Sequence, residues 1–336
     1  MRTNDTPSSV GVTKAESASH RRAFIRPDVV PALGVLAATA ALIAGMKLVN
    51  PSFGSIDQLT AILLTAIFLV VASFGQGLVI LIGGIDLSIG IVMGIGGMMI
   101  ANLTRGSNDA LIYALPAALA CCTAIGVLNG IGVALAKLPP FIMTLSSATT
   151  FYGVALGLTA GGSQQPVAPA LQDFMSSRWA GIPLPIIFMI VFVVAAILFQ
   201  NRTAQGRKLY AIGSSPGAAR VLGLSIVPLT VAVYAISGLC AGIAGILLAG
   251  YAASATLEMG NALLMPTIAA VVIGGARVTG GAGLYIGTLA GALFLSTLST
   301  VITALSLSQG LRSIIQGSII ITALLLQGQQ ARVRKP

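Results

Sequence analysis

Charged side chains are scarce in this chain. Asp, Glu, Lys and Arg make up 8% of its 336 residues, and only eight of these are acids. Soluble domains carry roughly 25% charged residues, so this composition cannot build a water-exposed surface. The net charge of +10 does not indicate nucleic-acid binding, because the cations lie between apolar runs and not in one cluster on a face.

Residues for metal or acid–base chemistry are equally few. The only histidine, His20, lies in the polar N-terminal segment, and the three cysteines, Cys121, Cys122 and Cys240, lie inside apolar runs. We expect these thiols to be small buried side chains and not disulfide partners or metal ligands. The sequence predicts no metal site, and its apolar runs lack the histidines and carboxylate pairs of a membrane-embedded enzyme.

Apolar runs make up most of the sequence, since 56% of the residues are hydrophobic and 40 are glycine. Most runs approach the roughly 20 residues that cross a hydrocarbon core of about 30 Å, and lipid requires each to form a helix. The ten runs are 29–49, 59–82, 86–101, 111–136, 141–160, 183–200, 228–250, 263–275, 283–304 and 311–327. The predicted fold is an all-α polytopic membrane protein with about ten transmembrane helices packed through small residues.

Lys and Arg are distributed unevenly over the loops between ten spans. With a cytoplasmic N-terminus, fourteen of the eighteen cations fall on the cytoplasmic side. The four on the outer side are Lys47, Arg105, Arg178 and Arg312. This asymmetry predicts that both termini are cytoplasmic.

The same topology divides the chain into three parts. Residues 1–28 form a polar cytoplasmic tail, residues 29–327 the membrane domain, and residues 328–336 a short cytoplasmic stub. A cleaved signal peptide is the alternative interpretation of the N-terminal segment, although its charged region would be unusually long.

Two of the runs, 86–101 and 263–275, are short, and each adjoins a glycine pair in a similar setting. The pairs are Gly83 and Gly84 in LIGG, and Gly274 and Gly275 in VIGG. Short, glycine-interrupted segments at corresponding places in two halves indicate broken helices beside a transport pathway. Glycine is also common in ordinary transmembrane packing, so both interpretations stay open.

Asp86, in GGIDLSIG, is the acid most deeply embedded in apolar sequence. A carboxylate at the start of a helix is explained by N-capping and by the helix dipole, which favours negative charge there. The alternative is a proton or ion relay within the membrane. The capping interpretation is favoured, because an ion-coupled transporter would be expected to carry several such acids.

A polar cluster follows Pro139 and Pro140, which end one helix and start the next. Phe141, Thr144 and Ser147 follow at helical spacing, so we expect them to share one face. An aromatic ring beside hydroxyl groups suits an uncharged, hydroxylated solute. Such hydroxyls more often bond to their own backbone or join neighbouring helices, and the same alternative applies to Asn129.

The longest basic loop inside the chain is the segment 201–227, here called the basic loop. It holds four cations, Arg202, Arg207, Lys208 and Arg220, and no acid. GSSPG at 213–217 predicts a turn, with Ser215 capping a short helix that has Pro216 at its first position and ends near Gly223. The basic loop is longer than a simple connection between two spans needs to be. This length favours docking of a cytoplasmic partner as the explanation of its cations, over positive-inside bias alone.

Four phrases together resemble one known family. GGIDLSIG (83–90), PPFIMTL (139–145), GRKLYAIGSSPGAARVLGL (206–224) and IAAVVIGGARVTGGAG (268–283) are similar to the permeases of bacterial ATP-driven importers of ribose, xylose and galactose. The likeness runs in order from about residue 30 to the C-terminus. It implies a type II permease of the vitamin B12 importer kind in the inner membrane.

The resemblance also implies partners: a second permease that is a copy or a paralogue, two cytoplasmic ATPase domains and a periplasmic solute-binding protein. No cofactor is implied, and the chain lacks a phosphate-binding G-x-x-x-x-G-K-[ST] loop of its own. The family's coupling helix usually carries a Glu where this chain has Gly217, which leaves the nearby cations as the polar contacts.

The residues that we expect to mediate coupling to the ATPases are Arg207, Lys208, Tyr210, Gly213, Ala218, Ala219, Arg220 and Gly223. The candidates for the transport pathway are Gly83, Gly84, Asp86, Asn129, Phe141, Thr144, Ser147, Gly274 and Gly275. The predicted function is import of a monosaccharide or similar small polar solute. A branched-chain amino acid permease and an ion-coupled secondary transporter are the alternatives.

Overall fold

The computed structural model describes residues 30–159, 165–306 and ten positions beyond them. These ten are 308, 310, 311, 314, 315, 317–319, 321 and 322. The predicted tail 1–28, the stub 328–336 and Arg312 lie outside the described residues, and the predicted span 311–327 is described only in part.

Helices make up nearly all of the regular structure among these residues. They are α1 Val30–Val49, α2 Ile56–Leu81, α3 Ile89–Thr104, α4 Leu111–Ala134, α5 Pro140–Leu158, α6 Pro169–Ser176, α7 Leu184–Arg202, α8 Ala204–Ser214, α9 Pro216–Val221, α10 Ile226–Ala252, α11 Asn261–Ile273 and α12 Tyr285–Ala304. The prediction of an all-α fold is confirmed. Nine of the ten predicted runs coincide with helices, and the described residues of the tenth are largely helical.

The lengths of these helices separate seven full spans from two short ones. Seven are long and apolar enough to cross a membrane, namely α1, α2, α4, α5, α7, α10 and α12. The short apolar helices are α3, with 16 residues, and α11, with 13. At 1.5 Å per residue, α11 is about 20 Å long and does not cross the core by itself. The prediction that these two runs are short is confirmed.

Helices from distant parts of the chain pack against each other. The first helix, α1, packs against α12, and α10 packs against α3 and α4. The buried residues of α1 are Ala32, Thr39 and Met46, one every seven positions. Such spacing produces a single narrow seam along a helix, so most of the α1 surface is left exposed.

The centre of the protein is formed by α2 and α10. Nearly every residue of α2 from Ala66 to Leu81 is buried, which requires a helix that is apolar on all sides. The backbones of α4 and α10 pack directly together, because a Cβ added at Gly126 or Gly238 would overlap the backbone of the other helix. This is the small-residue packing that the composition predicted.

The cysteines lie within this packing. Cys122 and Cys240 are buried and Cys121 is half-buried, and all three are free thiols. The prediction of small buried side chains is confirmed for Cys122 and Cys240, whereas Cys121 is only partly buried.

Both α2 and α11 end in the same backbone turn. Gly83, with φ of +83°, donates its N–H to a carbonyl three residues back, and Gly84 donates to one five residues back, both at 2.9 Å. Gly275, with φ of +93°, and Ala276 repeat these two bonds at 2.9 and 3.2 Å. A residue in the left-handed region followed by this pair of bonds is a Schellman motif, which favours glycine. The structural partner of Gly83 is therefore Gly275, so the predicted alignment of the glycine pairs is shifted by one residue.

Short strands accompany α6 between α5 and α7. β1, Gln165–Pro166, pairs antiparallel with β4, Ser254–Ala255, and joins this connection to the segment after α10. β2, Arg178–Trp179, and β3, Ile182–Pro183, form a hairpin immediately before α7. The predicted ten spans would place all of this on the outer side of the membrane.

Candidate functional site

The basic loop folds as two short helices, α8 and α9. Thr203 caps α8 by accepting a hydrogen bond from the Gly206 N–H at 3.0 Å. Ser215 caps α9 by accepting one from the Ala218 N–H at 3.2 Å, with Pro216 at the first helical position. The predicted cap and start of this helix are confirmed. The predicted turn begins later than expected, since residue 213 still belongs to the last turn of α8.

The C-terminal end of α8 packs tightly against the turns that follow α2 and α11. The Gly281 N–H donates to the carbonyl oxygen of Leu81 at 2.9 Å, which joins the two turns directly. Gly213 lies against this bond: a Cβ added there would overlap the Leu81 oxygen and lie 2.6 Å from the Gly281 nitrogen. Only glycine permits this close approach of three backbones. We call this contact the α8 joint.

Side chains extend the α8 joint towards α7 and α12. The Tyr210 hydroxyl donates to the Gly283 carbonyl at 2.7 Å, and the Gln200 amide donates to the same oxygen at 3.3 Å. Gln200 Oε1 also accepts from the Tyr285 N–H at 2.6 Å, at the start of α12. Movement of α8 therefore acts on the ends of α2, α7 and α12 together.

Sequence reasoning selected Tyr210 and Gly213 but missed their partners. Gln200 is the last residue of the predicted span 183–200, directly before the basic loop, and its polar side chain is 4% exposed. A lone amide at the end of an apolar run was the available signal. The glycines of the segment 279–283 were part of a recognised phrase, but nothing local indicated that they contact α8.

The surface of α9 differs from the prediction in one respect. Ala219 is 1% exposed, so it packs inside the basic loop and cannot contact a partner directly. Ala218 and Arg220 in α9 and Gly223 just after it are exposed. Sequence reasoning missed Val221 and Leu222 at the end of this helix, which are 88% and 75% exposed and form an apolar surface next to Arg220.

The two cations of α8 that were expected to contact the ATPase differ in exposure. Arg207 is exposed and donates to the Arg202 carbonyl at 3.2 Å, whereas Lys208 is half-buried. Arg207 therefore belongs to the solvent-facing side of the basic loop together with Arg220.

Asp86 lies in the turn between α2 and α3 and is 1% exposed. Its Oδ1 accepts from the backbone N–H and the hydroxyl of Ser88 at 2.9 and 2.6 Å, and its Oδ2 accepts from the hydroxyl of Ser237 in α10 at 2.7 Å. The predicted N-cap is wrong in position, because Ser88, not Asp86, precedes the first residue of α3. The carboxylate instead closes the turn before α3 and ties that turn to α10.

The hydrogen bonds around Asp86 continue into α4. The Asn129 side-chain amide donates to the Ser88 hydroxyl at 2.9 Å. Asn129 Oδ1 and the Tyr234 hydroxyl are buried and have no hydrogen-bond partner among the described residues. Tyr234 reaches the same turn, since its hydroxyl would lie 2.6 Å from a Cβ added at Gly84. These residues form a buried polar cluster shared by α3, α4 and α10.

Phe141, Thr144 and Ser147, which were expected to share one face of α5, differ in their exposure to solvent. Thr144 is fully buried and accepts from the Leu87 N–H at 3.0 Å, so it fastens α5 to the turn that carries Asp86. Ser147 is 6% exposed, whereas Phe141, in the first turn of α5, is 55% exposed. Their contact with a solute stays a prediction.

The four glycines of the predicted pathway lie at the turns after α2 and α11. Gly83 packs near Thr279, and Gly274 packs against the backbone of Gly287 in α12. Gly275 faces Pro31 in α1, since an added Cβ would lie 2.8 Å from its side chain. These residues join helices closely, and a role in the pathway stays a prediction.

Comparison with known proteins gives consistent matches. The family model described as "Branched-chain amino acid transport system / permease component" matches residues 58–324. The ribose import permease protein of Escherichia coli (strain K12) is 32% identical over 322 residues, which cover 94% of this chain and 99% of that protein. The ribose import permease protein of Bacillus subtilis (strain 168) is 30% identical over 305 residues, covering 90% and 94%.

The D-allose transport system permease protein of Escherichia coli (strain K12) is 28% identical over 274 residues, covering 82% of this chain and 84% of that protein. No solved structure gives a significant match. The family resemblance inferred from the four phrases is confirmed. The chain therefore belongs to the branched-chain amino acid transport system permease component family, as a multi-pass membrane subunit of a transporter and not an enzyme.

Proposed function

We propose that this chain is the permease subunit of an ATP-driven importer for a monosaccharide or similar small polar solute. Two relatives that match most of its length are named as ribose import permeases, and a third as a D-allose permease. The permease forms no covalent bond with its solute. It alternates between outward and inward openings, and another chain supplies the energy of ATP.

The observation that carries this proposal is the α8 joint beside the exposed surface of α9. Val221 and Leu222 offer an apolar surface for a cytoplasmic partner, with the exposed Arg220 next to them in the chain and the exposed Arg207 in the preceding helix. Apolar contacts ringed by polar groups are typical of protein interfaces. Because α9 follows α8 directly, a partner that moves α9 also moves the ends of α2 and α11 through Gly213.

The partners follow from this arrangement and from the family. Two cytoplasmic ATPase domains would dock on α9 of two permeases, which are copies of this chain or paralogues. A periplasmic solute-binding protein would deliver the solute to the outer side. In the proposed assembly both termini are cytoplasmic, and residues 29–327 form ten spans of a type II, vitamin B12 importer-like permease in the inner membrane.

One face of α5 supports a pathway between two permeases. Ser146, Thr149 and Thr150 are exposed there, and Gly153 and Gly157 have open space where a Cβ would stand. Hydroxyls and small residues are characteristic of helix interfaces and water-lined cavities, whereas lipid-facing positions favour large apolar side chains. Phe141, at the start of α5 and outside this face, would contact a solute ring, while the buried Thr144 and Ser147 support α5.

A branched-chain amino acid permease is the second candidate, because the family description carries that solute. Uptake into vesicles that contain the assembled transporter separates the two candidates. Labelled ribose and allose should accumulate with ATP, whereas labelled leucine should not. Accumulation of leucine alone would overturn the sugar assignment and leave the permease assignment intact.

Docking on α9 is tested by co-purification with the ATPase encoded beside this chain. The double variant Val221→Ser/Leu222→Ser removes the apolar surface without adding charge and should lose the ATPase. The matched control Ile112→Ser/Leu158→Ser changes two side chains that are 84% and 83% exposed on other helices, and it should retain the ATPase. Equal retention by both variants would show that α9 is not the docking surface.

A further inference from the structure

The hairpin before α7 presents an uncovered aromatic residue at a defined depth. Its two strands are joined by Ala180 and Gly181, with φ of +49° and +82°. Two central residues with positive φ characterise a type I′ turn, whose twist matches the flanking strands. The hairpin is closed at its base by the Leu184 N–H, which donates to the Ser177 carbonyl at 3.0 Å.

One face of this hairpin is apolar. Trp179 and Ile182 are cross-strand partners, so their side chains lie on the same face. They are 69% and 48% exposed, and Trp179 is the only tryptophan of the chain. Arg178, the neighbouring residue, is also exposed and provides a cation on the opposite face of the same strand.

The length of α7 sets the depth of this face. Its 19 residues extend about 28 Å, which matches a hydrocarbon core of roughly 30 Å. Arg202 in its last turn marks one boundary of that core. Leu184 then lies at the opposite boundary, and the hairpin at the level of the lipid headgroups.

One face of α7 is open to lipid over the second half of the helix. Ile190, Val191, Val194 and Leu198 recur at helical spacing and are each more than half exposed, whereas residues 184–189, next to the hairpin, are buried or half-buried. Tryptophan favours the interface between hydrocarbon and water, because its ring is apolar and its N–H is a hydrogen-bond donor. A guanidinium group binds phosphate through paired hydrogen bonds.

We propose that the hairpin 178–183 is a membrane-interface anchor, with Trp179 and Ile182 inserted at headgroup depth and Arg178 bound to lipid phosphate. The anchor holds the outer end of α7 at a fixed height while α8, at its other end, is moved by the ATPase. Its position in lipid does not depend on the solute, so the anchor stands even if the sugar assignment fails.

The intrinsic fluorescence of Trp179 tests the anchor directly. The protein is reconstituted in phosphatidylcholine and phosphatidylglycerol vesicles whose acyl chains carry bromine near the carbonyl or near the methyl end. Iodide is included during vesicle formation, so it reaches both sides of the membrane. We expect the shallow bromines to quench more strongly than the deep bromines, with weak quenching by iodide.

Two variants keep a single tryptophan and move it. Trp179→Phe/Ile182→Trp leaves the ring on the same face and should retain quenching by shallow bromines. Trp179→Phe/Arg178→Trp moves the ring by one residue to the opposite face and should gain quenching by iodide. Similar quenching by shallow bromines in both variants would overturn the claim that one face is inserted.

Strong quenching by iodide without an effect of bromine in the wild type would show that the hairpin stands in water and would overturn the proposal. If protection from iodide then appears only after addition of the purified solute-binding protein, the face is a protein-docking surface instead. Quenching mainly by deep bromines would also overturn the proposal, since it places the ring in the hydrocarbon core.

Discussion

Replacement of Gly213 by alanine should separate transport from docking of the ATPase. The new methyl group would overlap the Leu81 carbonyl oxygen and approach the Gly281 nitrogen to 2.6 Å. These two atoms already share a hydrogen bond of 2.9 Å, so the methyl group cannot enter without opening it. The surface of α9 is not touched by this substitution.

The magnitude follows from three contributions. Overpacking costs about 1–3 kcal/mol, and loss of the backbone hydrogen bond costs about 0.5–1.5 kcal/mol. Alanine gains up to about 1 kcal/mol of helix propensity over glycine, less at a helix end. The net cost to the α8 joint is about 0.5–4.5 kcal/mol, which shifts the equilibrium between docked and undocked α8 by a factor between about 2 and on the order of 1,000.

The assay combines three measurements on the reconstituted transporter. Solute uptake and solute-stimulated ATP hydrolysis should fall, whereas the amount of ATPase that co-purifies with the permease should stay the same. Gly217→Ala is the matched control, because the nearest atom to its added Cβ is 4.0 Å away, and it should behave as the wild type. Wild-type uptake and stability in Gly213→Ala would refute the close contact of the three backbones.

Two further predictions concern single side chains. Asp86→Ala removes the acceptor of three buried hydrogen bonds and should lower the stability in detergent by about 2–5 kcal/mol, whereas Asp86→Asn keeps one acceptor oxygen and should lose less. The control is Asp173→Ala, at an exposed position, which should change the stability by less than about 0.5 kcal/mol. If Asp86→Asn stays stable but loses uptake, the negative charge of Asp86 acts in transport and not in stability. Tyr210→Phe removes the 2.7 Å hydrogen bond to the Gly283 carbonyl and should destabilise the α8 joint by about 0.5–1.5 kcal/mol. Uptake should fall while the ATPase stays bound, and unchanged uptake would show that this hydrogen bond has no part in coupling.

The features that sequence reasoning predicted are those set by local physics. The spans follow from the length of apolar runs, because a lipid environment leaves the backbone no alternative to a helix. The cap at Ser215 and the start at Pro216 involve residues within three positions of each other. The short runs 86–101 and 263–275 were also visible, because their length alone distinguishes them from full spans.

The features that it missed depend on contacts between distant residues. Ser237, which binds Asp86, is 151 positions away along the chain, so a local capping rule could not identify it. Ala219 and Val221 belong to one short helix, and six residues show no periodicity that separates a buried side chain from an exposed one. The α8 joint consists mainly of contacts between backbone atoms. Every residue has the same backbone, so the sequence indicates such contacts only through glycines at close approaches.

The packing of α1 against α12 imposes an order on biosynthesis. Val49 and Tyr285 are 236 positions apart, so a ribosome that adds about 5–20 residues per second needs on the order of 10 to 50 seconds to deliver the partner. Lipid can hold α1 during that interval, because only the seam of Ala32, Thr39 and Met46 needs protein. The bilayer thus acts as a temporary substitute for α12, and a chain that stops before residue 285 leaves this seam uncovered for recognition by membrane proteases.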